Sequence, residues 1–189
     1  MPGKRKSNGY GNDRWPQYLV FSGEQTANDT TTTATVPLPI AAYQQSGLVV
    51  EMLKLWVELG NIAALDHLAG TSQKVSVGLT TRSTGMGVAD ETGNNFLSDP
   101  FVVAEHTWFI PGCINAGTSG GGTVLETVCI DLQDAAGHGQ MIVTPNLYLT
   151  IQSTATAASV AARCRMLYRV RKMPLQEYLG YFQAQQPAN

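Results

Sequence analysis

Much of what an enzyme, a secreted protein or a membrane protein needs is scarce in this chain. Cysteine occurs only as Cys113, Cys129 and Cys164 in 189 residues. An odd, widely spaced set of this kind makes neither a disulfide framework nor a CxxC metal knuckle. The expected role of all three is that of small buried apolar residues, since free cysteine is among the most buried types. Histidine is as sparse: His67, His106 and His138 form no HxH, HxxxH or HExxH pair, so a metal site on a β-sandwich lacks its ligands. No apolar run approaches the roughly 20 residues of a membrane span. The opening "MPGKRKSNGYGNDRW" places no apolar stretch after its charges, so neither a signal peptide nor a transmembrane helix is expected. "GMGVADETG" has glycines without the Gly-Lys-Ser/Thr of a phosphate loop, and no cofactor is expected.

Positive charge is missing from the middle. Residues 15 to 162 hold only Lys54, Lys74 and Arg82 against twelve acids, a balance of −9. Residues 1 to 14 carry Lys4, Arg5, Lys6 and Arg14 against Asp13, and residues 163 to 189 carry Arg163, Arg165, Arg169, Arg171 and Lys172 against Glu177. Nine of the twelve basic residues therefore stand in two short windows. Such asymmetry is the usual footprint of a polyanion.

Catalytic motifs are weak. "GTSGG" places Ser119 in a G-x-S-x-G pattern, but the nucleophile elbow needs a strand before it and a helix after. Here "PGCINA" precedes and "TVLETVCIDL" follows. His67, Asp90 or Asp99, and Ser119 follow the chain order of a chymotrypsin-like triad within a very short stretch. A hairpin loop is the better reading of "NAGTSGGGT", and no enzymatic activity is expected.

What is abundant is alternation. "GLVVEMLKLWVELG" places Val49, Leu53, Leu55, Val57 and Leu59 on one face with Glu51, and Val50, Met52, Lys54, Trp56 and Glu58 on the other. "QKVSVGLTTRS", "PFVVAEHTWFIPG", "GGTVLETVCIDLQ" and "MIVTPNLYLTIQS" are β-rich and bounded by turn residues. In the last, Leu147, Leu149 and Ile151 alternate with Tyr148, Thr150 and Gln152. With the Val36 segment and a strand through residues 161 to 172, about eight antiparallel strands are expected, hence a β-sandwich or barrel. "MPLQEYLGYFQAQQ" is the exception. Pro174 suits a first helical position, and Leu175, Tyr178, Leu179 and Phe182 follow helical spacing, with Gly180 a weak point. This helix is expected to cap the domain or dock on a neighbouring copy. The expected division is a flexible basic and Thr-rich arm over 1–34, a sandwich over 35–173, and a C-terminal helix and tail over 174–189.

"AARCRMLYRVRK" combines the two themes. Arg163, Arg165, Arg169 and Arg171 share one parity and would stand in a row on one face of a strand, interrupted only by Leu167. Cys164, Met166, Tyr168 and Val170 would face a core. Alternate strand positions lie about 6.6 Å apart, so the guanidiniums suit successive phosphates. Three roles stay open: contact with a polyanion, pairing with acids of the same or a neighbouring subunit, and simple solvation.

A basic N-terminal arm, a Thr-rich extended linker and an antiparallel sandwich of about eight strands together resemble the single-jelly-roll coat proteins of small icosahedral viruses, including satellite viruses. The resemblance implies identical subunits tiling a closed shell in a virion, loops meeting at symmetry axes, and an arm and inner surface facing the genome. It makes Lys4, Arg5, Lys6, Arg14, Arg163, Arg165, Arg169, Arg171 and Lys172 the candidate nucleic-acid-binding residues. Other coat proteins or an internal membrane are further candidate partners, the latter because anionic headgroups would meet the same arginines. Two other classes compete. One is a cellular nucleic-acid-binding β-barrel such as an OB-fold, which needs aromatic platforms, whereas Tyr168 is the only aromatic of the arginine strand and lies on its other face. The other is a sandwich module binding sugars or proteins.

Overall fold

Alternating apolar and polar side chains build nine strands and one helix among the residues that the computed structural model describes, which are 15–40, 47–60, 72–83, 101–110 and 127–185. The strands are β1 Gln17–Glu24, β2 Thr31–Pro37, β3 Leu48–Gly60, β4 Gln73–Thr80, β5 Val102–Ile110, β6 Val128–Asp131, β7 Gln140–Ile142, β8 Asn146–Thr154 and β9 Ala161–Lys172; the helix is α1, Leu175–Ala184. Lys4, Arg5, Lys6, Arg14, His67, Asp90, Asp99, Cys113 and Ser119 lie outside the described residues.

The pairing is that of one antiparallel ribbon rolled on itself. β1 pairs with β9, β2 with β8, β3 with β6 and β7, and β4 with β5. The roll closes where β9 also pairs with β3 and β8 with β4. Two sheets result, β1-β9-β3-β6 with β7 also on β3, and β2-β8-β4-β5. This order is a jelly roll, the expected fold class, with β6 and β7 acting as one interrupted strand. It is not the five-stranded barrel of an OB-fold.

The core lies between the sheets. Leu147, Leu149 and Ile151 of β8 and Val75, Val77 and Leu79 of β4 meet Ala162, Cys164, Met166, Tyr168 and Val170 of β9, all buried. Truncating one such large side chain to alanine costs about 2–5 kcal/mol, because the removed contacts are lost and the cavity closes only in part.

Two features depart from the sequence expectation. First, residues 17 to 34 are not arm: β1 lies beside β9, and β2 starts at Thr31. The polar stretch between them is ordered because its polar groups satisfy one another and the β8–β9 connection. Buried Gln25 accepts from the Val160 N–H and the Ser153 hydroxyl, both at 3.0 Å, and Asp29 accepts from the Thr156 N–H at 2.9 Å. Polarity here marks a hydrogen-bonded corner rather than a linker. Second, β3 does not keep one parity. Its register with β9 shifts between Met52 and Lys54, so Leu53 is a bulge. Val50, Met52, Leu55, Val57 and Leu59 therefore face the core, while Val49, Glu51, Lys54, Trp56 and Glu58 share the outer face. The bulge is matched across the sheet by the break between β6 and β7, where the Leu132 N–H donates to the Leu53 carbonyl at 2.9 Å.

Helix α1 follows Pro174, whose carbonyl accepts from the Tyr178 N–H at 2.9 Å. Pro174 thus stands at the N-cap, one position before the helix. Tyr178 is buried with Val49, Val143 and Met173, and Phe182 packs beside them. The buried Gln185 side chain pins the helix end to β7 by accepting from the Val143 N–H at 3.1 Å and donating to the Met141 carbonyl at 2.6 Å. Leu175 and Leu179, the other half of the apolar stripe, are exposed.

Candidate nucleic-acid interface

The outer face of the β1-β9-β3-β6 sheet carries the arginine row, as its parity requires: Arg163 and Arg165 are exposed and Arg169 and Arg171 partly so, with the intervening even positions buried. Cross-strand register sets what stands beside each arginine, and it divides the row in two.

At one end Arg169 is opposite Glu51 and Arg171 opposite Val49. The Glu51 side chain is fully buried. Its carboxylate accepts from Arg169 Nε, from Arg169 Nη2 at 2.8 Å, from Arg171 Nη1 at 3.3 Å and from the Gly139 N–H at 2.9 Å, with His138 Nδ1 at 3.9 Å. Burial alone pushes this carboxyl up. The Arg169 hydrogen bond, the Gly139 N–H and the charges of both arginines outweigh burial and hold it below its ordinary value. Gly139 is required there, because a Cβ would sit 2.1 Å from the Met52 carbonyl oxygen. Arg169 and Arg171 are therefore engaged by an acid of their own subunit, the second of the three roles left open by the sequence.

At the other end the neighbours differ. One row across the sheet reads Val20, Arg165, Trp56 and Cys129; the next reads Ser22, Arg163 and Glu58; on the other side stand Tyr18, Leu167, Lys54 and Asp131. Arg165 lies over the Tyr18 ring with its guanidinium carbon 3.9 Å from the centroid, and Tyr18 packs on Trp56 with centroids 6.1 Å apart. Lys54 pairs with Asp131 at 2.9 Å, which raises the lysine and lowers the aspartate from their ordinary values. Among the described residues no ion pair joins Arg163 to Glu58. Lys172, opposite Leu48, is exposed. Cys129, expected to be buried, is exposed on this face because β6 is an edge strand, whereas Cys164 is buried as expected.

Sequence parity thus locates the arginine face and misses its aromatics. Tyr18 is carried by a strand that falls inside the arm expected over 1–34, and Trp56 by a strand whose parity the bulge reverses. The apolar run Tyr18–Phe21 in "QYLVFSGE" was the available signal for the first.

No family model and no curated protein sequence matches the chain. Solved structures do. VP1 of Trichodysplasia spinulosa-associated polyomavirus, in complex with GM1 oligosaccharide, superimposes with a TM-score of 0.50 at 9% identity, over 87% of this chain and 97% of that one. The VP1 pentamer of Human Polyomavirus 6 gives 0.46 at 14% identity, over 83% and 95%. At these identities the likeness concerns the fold: the chain carries a jelly roll like that of the polyomavirus capsid protein VP1.

Proposed function

We propose that this chain is a viral coat subunit, copies of which assemble into an icosahedral shell around a genome. The observation that carries the proposal is the closed jelly-roll pairing order, matched over nearly the whole length of a viral capsid protein. Exposed apolar side chains support it. Val20, Phe109, Leu175 and Leu179 are all large, apolar and solvent-facing, a surface suited to self-contact. The β1-β9-β3-β6 sheet faces inward in this reading. Its first strand begins three residues after Arg14 in sequence and pairs with the strand that carries the open arginines Arg163 and Arg165. The inward partner is nucleic acid, with the anionic headgroups of an internal membrane the alternative that uses the same charges.

Electron microscopy and sedimentation of the purified protein test the proposal. Uniform closed shells are expected. A monodisperse monomer at high concentration, across several pH and salt conditions, overturns it in favour of a binding module.

A further inference from the structure

Resting on the inward-facing reading of this sheet, a more specific ligand can be named from its side chains. We propose that the pocket between β1, β9 and β3 is a nucleobase site, which takes one base of a single-stranded polynucleotide against Trp56 with the adjoining phosphates at Arg163 and Arg165.

The pocket has a volume of about 340 Å³ and is lined by Val20, Trp56, Glu58, Thr127, Arg163 and Arg165. Its composition does not suit phosphate alone. Val20, 71% exposed in the middle of a charged face, and Trp56 flank Arg165 across the sheet, and Tyr18 packs on both Arg165 and Trp56. An apolar floor beside an indole, flanked by two guanidiniums, matches a flat aromatic base joined to an anionic backbone. Stacking on Tyr18 holds the Arg165 guanidinium in place while its N–H edges still reach outward.

Glu58 gives the site its second property. A carboxylate repels phosphate, yet it accepts well from exocyclic base amines. Cytosine, adenine and guanine carry such amines, and thymine and uracil do not. A duplex is excluded because its base faces are stacked on one another and cannot meet the indole.

The test uses the full chain, a fluorescein-labelled oligodeoxycytidine of about 12 nucleotides, within the site sizes known for stacking proteins, the corresponding oligothymidine, a duplex of equal length, and inorganic polyphosphate. Single-stranded oligodeoxycytidine is expected to bind more tightly than the duplex and to resist displacement by polyphosphate at equal charge. Trp56→Ala should weaken single-strand binding about 5- to 150-fold, the effect of losing one base–aromatic stack, and leave polyphosphate binding unchanged. Trp56→Phe, which keeps a ring, should recover most of the loss and shows that the pocket is still folded. Arg163→Gln with Arg165→Gln should weaken both ligands and reduce the salt slope by about 1.4, at about 0.7 per phosphate contact on a single strand. Glu58→Gln should narrow the preference for deoxycytidine over thymidine. Equal affinity for single strand, duplex and polyphosphate, or Trp56→Ala binding like the parent, overturns the proposal. Loss of nucleic-acid-free assembly in Trp56→Ala with unchanged oligonucleotide binding also overturns it, by making the pocket a contact between subunits. Shells without single-strand preference would sink the base site and spare the coat reading; single-strand binding by a protein that never assembles would do the reverse.

Discussion

Glu51→Gln is the most informative single change, because it removes one negative charge and almost no volume from the point where three elements meet. The native carboxylate accepts four hydrogen bonds, from Arg169 and Arg171 of β9 and from the Gly139 N–H. The amide can keep the bond from Gly139 through its oxygen, but its NH₂ must then confront guanidinium donors. Removing one partner of a fully buried ion pair costs about 3–5 kcal/mol, mostly as the desolvation of the charge left behind. Here the charges that lose this partner are the Arg169 and Arg171 side chains, which have further interactions and are 28% and 31% exposed. The expected cost is therefore lower, about 2–3 kcal/mol, and in a protein of this size that lowers Tm by about 4–12 °C.

The same variant has a pH signature. The folded-state pKa of Glu51 lies below its ordinary value of 4.5, so the unfolded chain takes up its proton first as pH falls. The clamp then contributes fully above about pH 4.5 and is lost as pH drops through the lower folded-state value. Urea melts of parent and variant between pH 7 and pH 3 should show a constant gap at neutral pH that closes in acid. A neutral-pH difference under about 0.5 kcal/mol, the size of an ordinary surface substitution, would refute the clamp. So would a gap that acid leaves unchanged.

Gly180→Ala should stabilise the protein by about 0.5–1 kcal/mol in urea denaturation, since an added Cβ meets nothing within 4 Å and helix α1 loses a flexible residue. Gln25→Ala should cost about 1–3 kcal/mol by the same measurement, because it orphans the Val160 N–H and takes one acceptor from the Ser153 hydroxyl, which keeps Thr156. In a Cys113→Ser background, a thiol reagent at pH 8 should label Cys129 at once and Cys164 only on unfolding, because burial pushes the Cys164 thiol up to about 12.

The jelly roll was legible as strand count and alternation because half-buried antiparallel strands write their two faces into sequence with a period of two. The Leu147, Leu149, Ile151 and the Cys164, Met166, Tyr168, Val170 series both land in the core. The start of β2 was not legible, because an edge strand buries little, and β1 was readable only as the short apolar run Tyr18–Phe21 beside a polar stretch. Tyr18, Val20 and Ser22 face water on β1, and the threonines from Thr31 to Thr35 alternate between exposed and partly exposed positions. Composition reports burial. A corner such as Gln25 to Thr30, held by its own polar bonds, has the same composition as a tail.

The site was legible to the same depth. Parity assigns the four arginines to one face from β9 alone, but the partners of a strand residue are fixed by register with strands far off in sequence. Glu51 is 118 residues from Arg169. On an unbroken β3, Glu51 and Trp56 would point to opposite faces. The bulge at Leu53 brings both to the arginine face, and the order of β9 against β3 then sets Glu51 beside Arg169 and Trp56 beside Arg165. One extra residue therefore gives one strand two uses. The end near α1 becomes a buried ion cluster with the helix packed beside it, and the far end keeps two arginines, two aromatics and a carboxylate open to a ligand. Deleting Leu53 should remove the bulge and leave Glu51 and Trp56 both on the arginine face, because Met52 and Lys54 already pair with the consecutive β9 residues Tyr168 and Leu167. A folded variant should therefore keep both the acid-dependent stability and the single-strand preference, and loss of either would show that Leu53 is not merely the extra residue of the bulge.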